Sequence, residues 1–319
     1  MTGGASMRRM AFGLLAACLV SWVIGAHAQD CSDIRGKICS LTKFEPDPGS
    51  GSSNAKDSPA CDKPDTATDT QKDWIQSAFD LAPIKVKNDL CKLTSIFVAT
   101  DRASWGRWED PANHNNATPG KTEIAISSSD IGKTFSAKQD DNLKMITGKA
   151  TAKHSEDLAG GRVAPEIIGL LYVLAHELGH VRWHRDLGVG DGIGCADDPN
   201  FYSWKDVTNA KSNRWTKFGN DLGDHRRAKV KKPKDIGNDD DLRGIYFGGF
   251  ATALGATNPE EDFVESYAIR ILMEACPECI FNVTIGSGSS AATIKVNDAG
   301  GNPDLKAKLN CVYDKYIKS

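Results

Sequence analysis

The sequence predicts an α+β fold, a small mixed sheet packed against one long helix with a second helix alongside. Three observations carry this. Short β-branched or alternating runs occur at Ser95–Ala99 and Thr122–Ile126. A long apolar-periodic stretch runs from Pro165 to Gly188. A capped stretch with helical spacing begins at Asn258-Pro259.

The first 28 residues read as an export signal. Arg8 and Arg9 form a basic start, an apolar run follows from Met10 to Ile24, and Ala26-His27-Ala28 gives a small-x-small cleavage pattern. A membrane anchor is the weaker reading, because a run of about 15 residues is short of the roughly 20 that a span needs. A lipoprotein signal at Leu15-Ala16-Ala17-Cys18 is weaker still, since apolar sequence continues past Cys18. The chain is therefore expected to be extracytoplasmic, periplasmic or secreted, with no stable membrane span after cleavage.

Loss of Cys18 leaves eight of the 9 cysteines: Cys31, Cys39, Cys61, Cys91, Cys195, Cys276, Cys279 and Cys311. An even number in an exported chain implies disulfides, and the sequence does not choose among the pairings. Cys276-Pro277-Glu278-Cys279 has redox spacing, but no thioredoxin-like βαβ pattern surrounds it, so a structural bridge is expected. Removing Arg8 and Arg9 takes the formal charge from −3 to about −5. That balance does not suggest nucleic acid. The basic run Arg226 to Lys234 is broken by Pro233 and followed by Asp239-Asp240-Asp241, as expected of a solvated loop.

Residues 29–72 form a cysteine-containing N-terminal segment and a flexible linker. From 46 to 70 the chain is rich in Pro, Gly, Ser, Asp and Thr, too polar to offset chain entropy by burial. The folded domain is expected over 73–319, where Trp74, Ile75, Ala78, Phe79 and Leu81 begin a helix. Between the strands at 95–99 and 122–126 lies an expected loop with Trp105 and Trp108. Phe281–Ile285 and Thr293–Val296 flank Gly286-Ser287-Gly288-Ser289 as a hairpin.

The long helix carries His176-Glu177-Leu178-Gly179-His180, an H-E-x-x-H run. Residues four apart share a helix face, so both imidazoles reach one metal ion, and Glu177 stands where it can act on a water held there. At about 100° per residue, Ile167, Leu171, Leu174, Leu178 and Val181 fall on the face opposite the histidines. Two histidines fall short of a catalytic zinc site, which takes three protein ligands. His184 is a poor third. It lies about 12 Å from His176 along a continuous helix, while zinc–nitrogen bonds are about 2 Å. It either lines the cleft or sits at the surface.

The stretch from Asn258 supplies a better third ligand. Asn258 suits a helix cap and Pro259 the first turn. Glu261 and Glu265 share a face that Ala268 and Leu272 continue, so both carboxylates point inward and need a partner. Asp262 and Glu265 are further candidates for the ligand, and a capping role would also account for Glu261.

An H-E-x-x-H helix followed by a helix with two such acids resembles the glutamate zincins (gluzincins). Thr257-Asn258-Pro259-Glu260-Glu261-Asp262-Phe263-Val264-Glu265 is most similar to their lethal-factor-type branch. The resemblance spans these two helices alone. It implies a zincin-like fold, Zn2+ as cofactor, and His176, His180 and Glu261 as its ligands. It also implies Glu177 as general base and Glu265 as the acid supporting a ligand histidine. An oxyanion donor is expected nearby. Tyr246, His225 and His184 are the candidates, and Tyr246 is preferred. The Gly- and aromatic-rich stretch from Gly244 to Gly255 is expected at the cleft floor, and the strand near Ile124 as the edge along which an extended peptide lies.

The expected function is that of an exported zinc metallopeptidase acting on a protein or peptide substrate, with a zinc-bound water activated by Glu177. The alternatives are an extracytoplasmic zinc protein that binds or braces without hydrolysis, and a disulfide-rich module without metal.

Overall fold

In a computed structural model the described residues are 31–41, 67–100, 104–108, 122–147, 152–188, 238–257, 259–297 and 301–318. The export signal, Cys61, Cys195, His225, the basic run and Asn258 fall outside them.

The described residues form an α+β structure with seven helices and two small sheets. Strand β1 (Ile38–Leu41) opens it, followed by α1 (Asp69–Leu81) and α2 (Ile84–Lys92). Next come β2 (Ser95–Ala99), β3 (Trp105–Trp108) and β4 (Thr122–Ser127). The first sheet has the order β1-β2-β4-β3. β1, β2 and β4 are parallel, and β3 runs antiparallel to β4 with Trp105 opposite Ala125. Every residue of β2 is buried, as befits a parallel strand flanked on both edges.

Two expectations change here. Trp105–Trp108 is a strand rather than loop, and it takes the edge position assigned to the strand near Ile124. β4 pairs on both sides, with β2 and with β3, so its backbone groups are already used. The segment before residue 73 also contributes more than a tether. β1 adds a parallel strand to the sheet, and α1 begins at Asp69 with a Thr68–Gln71 capping box.

The chain continues through α3 (Phe135–Thr147), β5 (Ala152–Asp157) and the motif helix α4 (Pro165–Gly188). Then come α5 (Asp239–Phe247), capped by Asn238, and α6 (Pro259–Ala275). The hairpin expected near the end is β6 (Ile280–Ile285) with β7 (Ala292–Lys295), and β5 joins it as a third antiparallel strand. Helix α7 (Pro303–Val312) follows, with Asn302 as cap and Pro at its first turn.

Helix α4 is the hub, packed against α1, α3, α6, β3 and β4. Leu171, Leu174, Leu178 and Val181 are buried, as their spacing predicts. So are Leu170, Tyr172, Val173 and Ala175, so the helix is enclosed on nearly every side rather than resting on one face. Two glycines make this possible. A Cβ on Gly169 would sit 2.1 Å from the Lys133 carbonyl oxygen, where the β4–α3 connection crosses the helix. A Cβ on Gly179 would meet Val264 Cα and Cγ1 at 3.2 Å, where α6 crosses.

Buried polar pairs fix the remaining helices. Arg182 of α4 is paired with Asp89 of α2. Lys308 of α7 donates to Asp262 at the start of α6, 2.6 Å away, and to the Gly249 carbonyl. Cys31–Cys91 and Cys276–Cys279 are disulfides, and Cys39 and Cys311 are disulfide-bonded as well. The first closes a 60-residue separation, which corresponds to about 4 kcal/mol of lost chain entropy in the unfolded state. No described helix is long and apolar enough to cross a membrane.

Candidate metal centre

Helices α4 and α6 run antiparallel past one another at the site, because His176 meets Glu265 while His180 meets Glu260. One helical turn separates the histidines on α4, and one turn separates Glu261 from Glu265 on α6. The close approach at Gly179 brings these two rows together.

The two imidazoles face each other through Nε2, 3.2 Å apart. Their other nitrogens turn towards carboxylates. His176 Nδ1 lies 2.8 Å from Glu265 Oε1, and His180 Nδ1 lies 2.6 Å from Glu260 Oε1. A carboxylate only accepts, so the neutral His180 ring, hydrogen-bonded to Glu260, carries its proton on Nδ1 and turns the lone pair of Nε2 towards His176. His176 Nδ1 is close to Glu265 but is not aligned for a hydrogen bond. Glu261 brings Oε2 to 3.7 Å from His176 Nε2, and donor atoms of His176, His180 and Glu261 all lie within 4.8 Å of one another.

This donor set could hold a metal ion. With zinc–nitrogen bonds of 2.0–2.1 Å, tetrahedral ligand atoms stand about 3.3 Å apart. The observed Nε2–Nε2 separation is close to that value. Two imidazoles and one carboxylate match the donor chemistry of catalytic zinc sites. The geometry alone does not name the ion.

The surroundings are dry. Glu261 is 2 % exposed, Glu265 0 % and Glu177 4 %, so charge here has few other ways to be balanced. Burial alone would push the His180 imidazolium down. The Glu260 hydrogen bond and the charges of Glu261, Glu260 and Glu177 outweigh it and raise the metal-free pKa to about 9. His176 is raised too: burial opposes this, and the Glu265 contact and the nearby carboxylates prevail. Burial lifts the Glu177 carboxyl above its ordinary value, against the pull of both histidines, and its Oε2 has no hydrogen-bond partner among the described residues. A buried carboxylate with one oxygen unengaged and a raised pKa is suited to taking up a proton.

Glu265 is held from behind. Tyr172 Oη donates to its Oε1 at 2.7 Å, and Asn142 donates to Tyr172 in turn. Burial and the Glu265 charge push the Tyr172 hydroxyl well above its ordinary range, so it stays a donor. The segment expected at the cleft floor lies against this acid. Gly255 follows α5 in a tight turn, and a Cβ there would be 3.5 Å from Glu265 Cβ.

The structure thus brings His176, His180, Glu261, Glu177 and Glu265 together. Tyr246 sits elsewhere in the polar network. Its hydroxyl lies 3.0 Å from His154 Nε2, and His154 Nδ1 lies 2.8 Å from Asp140. Burial raises the Tyr246 hydroxyl well above its ordinary range. Sequence reasoning missed Glu260, Tyr172 and His154. For Tyr172 a signal was present, since it lies four residues before His176 on the same helix face. Comparison with protein-family models, with curated proteins and with solved structures finds no match for this chain.

Proposed function

We propose that the chain is an exported zinc-dependent metallopeptidase with a zincin-like centre. The observation that carries this is the pair of Nε2 atoms set 3.2 Å apart with a carboxylate behind each ring. A metal ion there would engage both rings and the Glu261 carboxylate at once. His176, His180 and Glu261 would hold the ion, and Glu265 would support His176. The disulfides support an extracytoplasmic location.

When bound, zinc would supply Lewis acidity, lowering the pKa of a water and polarising a carbonyl. The chain's own residues supply the rest. Glu177, dry and with Oε2 unengaged, takes the proton from the attacking water and passes it to the leaving amine. Glu265 and Tyr172 keep the His176 ring turned to the site. Tyr246 is the oxyanion donor proposed from sequence, and to serve it must turn its hydroxyl from His154.

The test pairs metal content with hydrolysis. The purified chain should retain about one zinc per molecule after exhaustive dialysis. Glu177→Gln should keep that zinc and lose cleavage of an unstructured protein substrate by at least about a hundred-fold. Zinc retained with no hydrolysis in the wild type would favour a binding or structural role. No zinc taken up would end the reading.

A further inference from the structure

We infer that Glu260 is the positioning residue of the second ligand histidine, holding the His180 ring so that Nε2 presents its lone pair to the metal. The inference rests on the zinc reading above and extends it to a residue outside the ligand set.

Glu260 and Glu261 are neighbours in the first turn of α6, so they leave the helix about 100° apart. They therefore reach different atoms of the same centre. Glu261 directs Oε2 towards the Nε2 side, while Glu260 reaches round to Nδ1 of His180 at 2.6 Å. One turn on, Glu265 Oε1 stands 2.8 Å from His176 Nδ1, in ion-pair contact but off the line of a hydrogen bond. Three carboxylates of a single helix thus grip both rings of another. The two supports differ in setting. Glu265 is fully buried and backed by Tyr172, whereas Glu260 is 29 % exposed in its side chain. His180 is therefore the ligand whose orientation depends on one solvent-touching side chain.

The plainer account of Glu260 is that an acid in the first turn complements the helix dipole. Geometry separates the two accounts. Dipole compensation needs only a negative charge near the helix start and no particular reach. Ring orientation needs an acceptor at the distance of a glutamate side chain. A carboxylate on the outer nitrogen fixes the tautomer and raises the donor strength of the inner one, and losing such a support lowers metal affinity about ten- to hundred-fold.

Three variants of the full chain decide it: Glu260→Asp, Glu260→Gln and Glu260→Ala. All readings are taken at pH 9.5, where proton competition at His180 no longer differs among the variants. Zinc affinity is read by competition with a chromophoric chelator, site geometry from the visible spectrum of the Co2+ form, and folding from the melting of the metal-free chain. Asp keeps the helix-start charge but is one methylene short of His180. It should lose zinc affinity about ten- to hundred-fold and shift the Co2+ spectrum, with little change in metal-free melting at that pH, where the charge of His180 no longer stabilises the fold. Gln keeps an acceptor at full reach and should retain more affinity than Asp or Ala. Wild-type affinity and spectrum in the Asp variant would overturn the inference while leaving the zinc reading intact. So would a loss confined to metal-free stability in Gln and Ala. Failure of the wild-type chain to bind zinc would overturn both.

Discussion

Zinc binding at this centre should tighten steeply as pH rises from 7 to 9. In the metal-free chain His180 has a pKa of about 9, because the Glu260 hydrogen bond and three nearby carboxylates outweigh its burial. At pH 7 the ring is protonated, and zinc must displace that proton. Two pH units at about 1.4 kcal/mol each cost about 2.7 kcal/mol, or about a hundred-fold in apparent affinity. Affinity should therefore rise about tenfold per pH unit up to about 9 and then level. His176 is raised in the same direction, against its burial, by the Glu265 contact and the nearby carboxylates. The sign for the metal-free fold is opposite. A histidine raised above its unfolded pKa of about 6.5 stabilises the fold fully below that pH, and the contribution fades as pH climbs through about 9. Chelator competition from pH 6.5 to 9.5 measures the slope, and proton release on adding zinc in weak buffer at pH 7 should give at least about one proton per zinc. A flat affinity between pH 7 and 9, with no proton released, would refute the placement of His180 between Glu260 and the metal.

Two further outcomes test the frame around the site. In Gly179→Ala the new Cβ would lie 3.2 Å from Val264 Cα and Cγ1, inside ordinary carbon contact. Overpacking of about 1–3 kcal/mol outweighs a helix-propensity gain of about 1 kcal/mol. Thermal melting should fall, zinc affinity should fall with it as α6 is pushed outward, and Val264→Ala in the same chain should recover part of both losses. Lys308→Met removes the ammonium paired with the fully buried Asp262 carboxylate. Urea unfolding should show a loss of about 3–5 kcal/mol, and adding Asp262→Asn should return much of it.

The two helices that build the site were legible because their signals are local. Pro165 and Gly188 bracket α4, Pro259 opens α6, and one-turn spacings put His176 with His180 and Glu261 with Glu265. What the sequence withheld depends on partners distant along the chain. Trp105-Gly106-Arg107-Trp108 has no apolar alternation and becomes a strand only because β4 offers an edge. β5 does alternate in burial, but its inward residues are Ala152 and His154, and neither reads as apolar strand core. The Thr68–Gln71 capping box was present, yet the first apolar residue, Trp74, drew the expected helix start inward. Glu260 escaped because its target is set by the register between α4 and α6. That register is fixed by Gly179 against Val264, a contact between helices 85 residues apart.

The charge inventory of the centre bears on why so costly a cluster is kept. Glu177, Glu260, Glu261 and Glu265 bring four carboxylates to two imidazoles, three of them almost wholly buried. With the Nε2 atoms 3.2 Å apart, one proton between the rings leaves one positive charge against four negative ones. With both rings neutral and one zinc ion bound, there are two. Exchange of that proton for the ion therefore lowers the net negative charge of the centre by one and adds coordination. A purely structural cluster of this kind gains little over apolar packing, since desolvation consumes most of the attraction between buried charges. The arrangement makes physical sense as a centre built around a dication, with a proton as its placeholder. On that account the zinc-loaded and metal-free chains should converge in melting temperature as pH falls, because the protons that compete with the metal also stabilise the fold that awaits it.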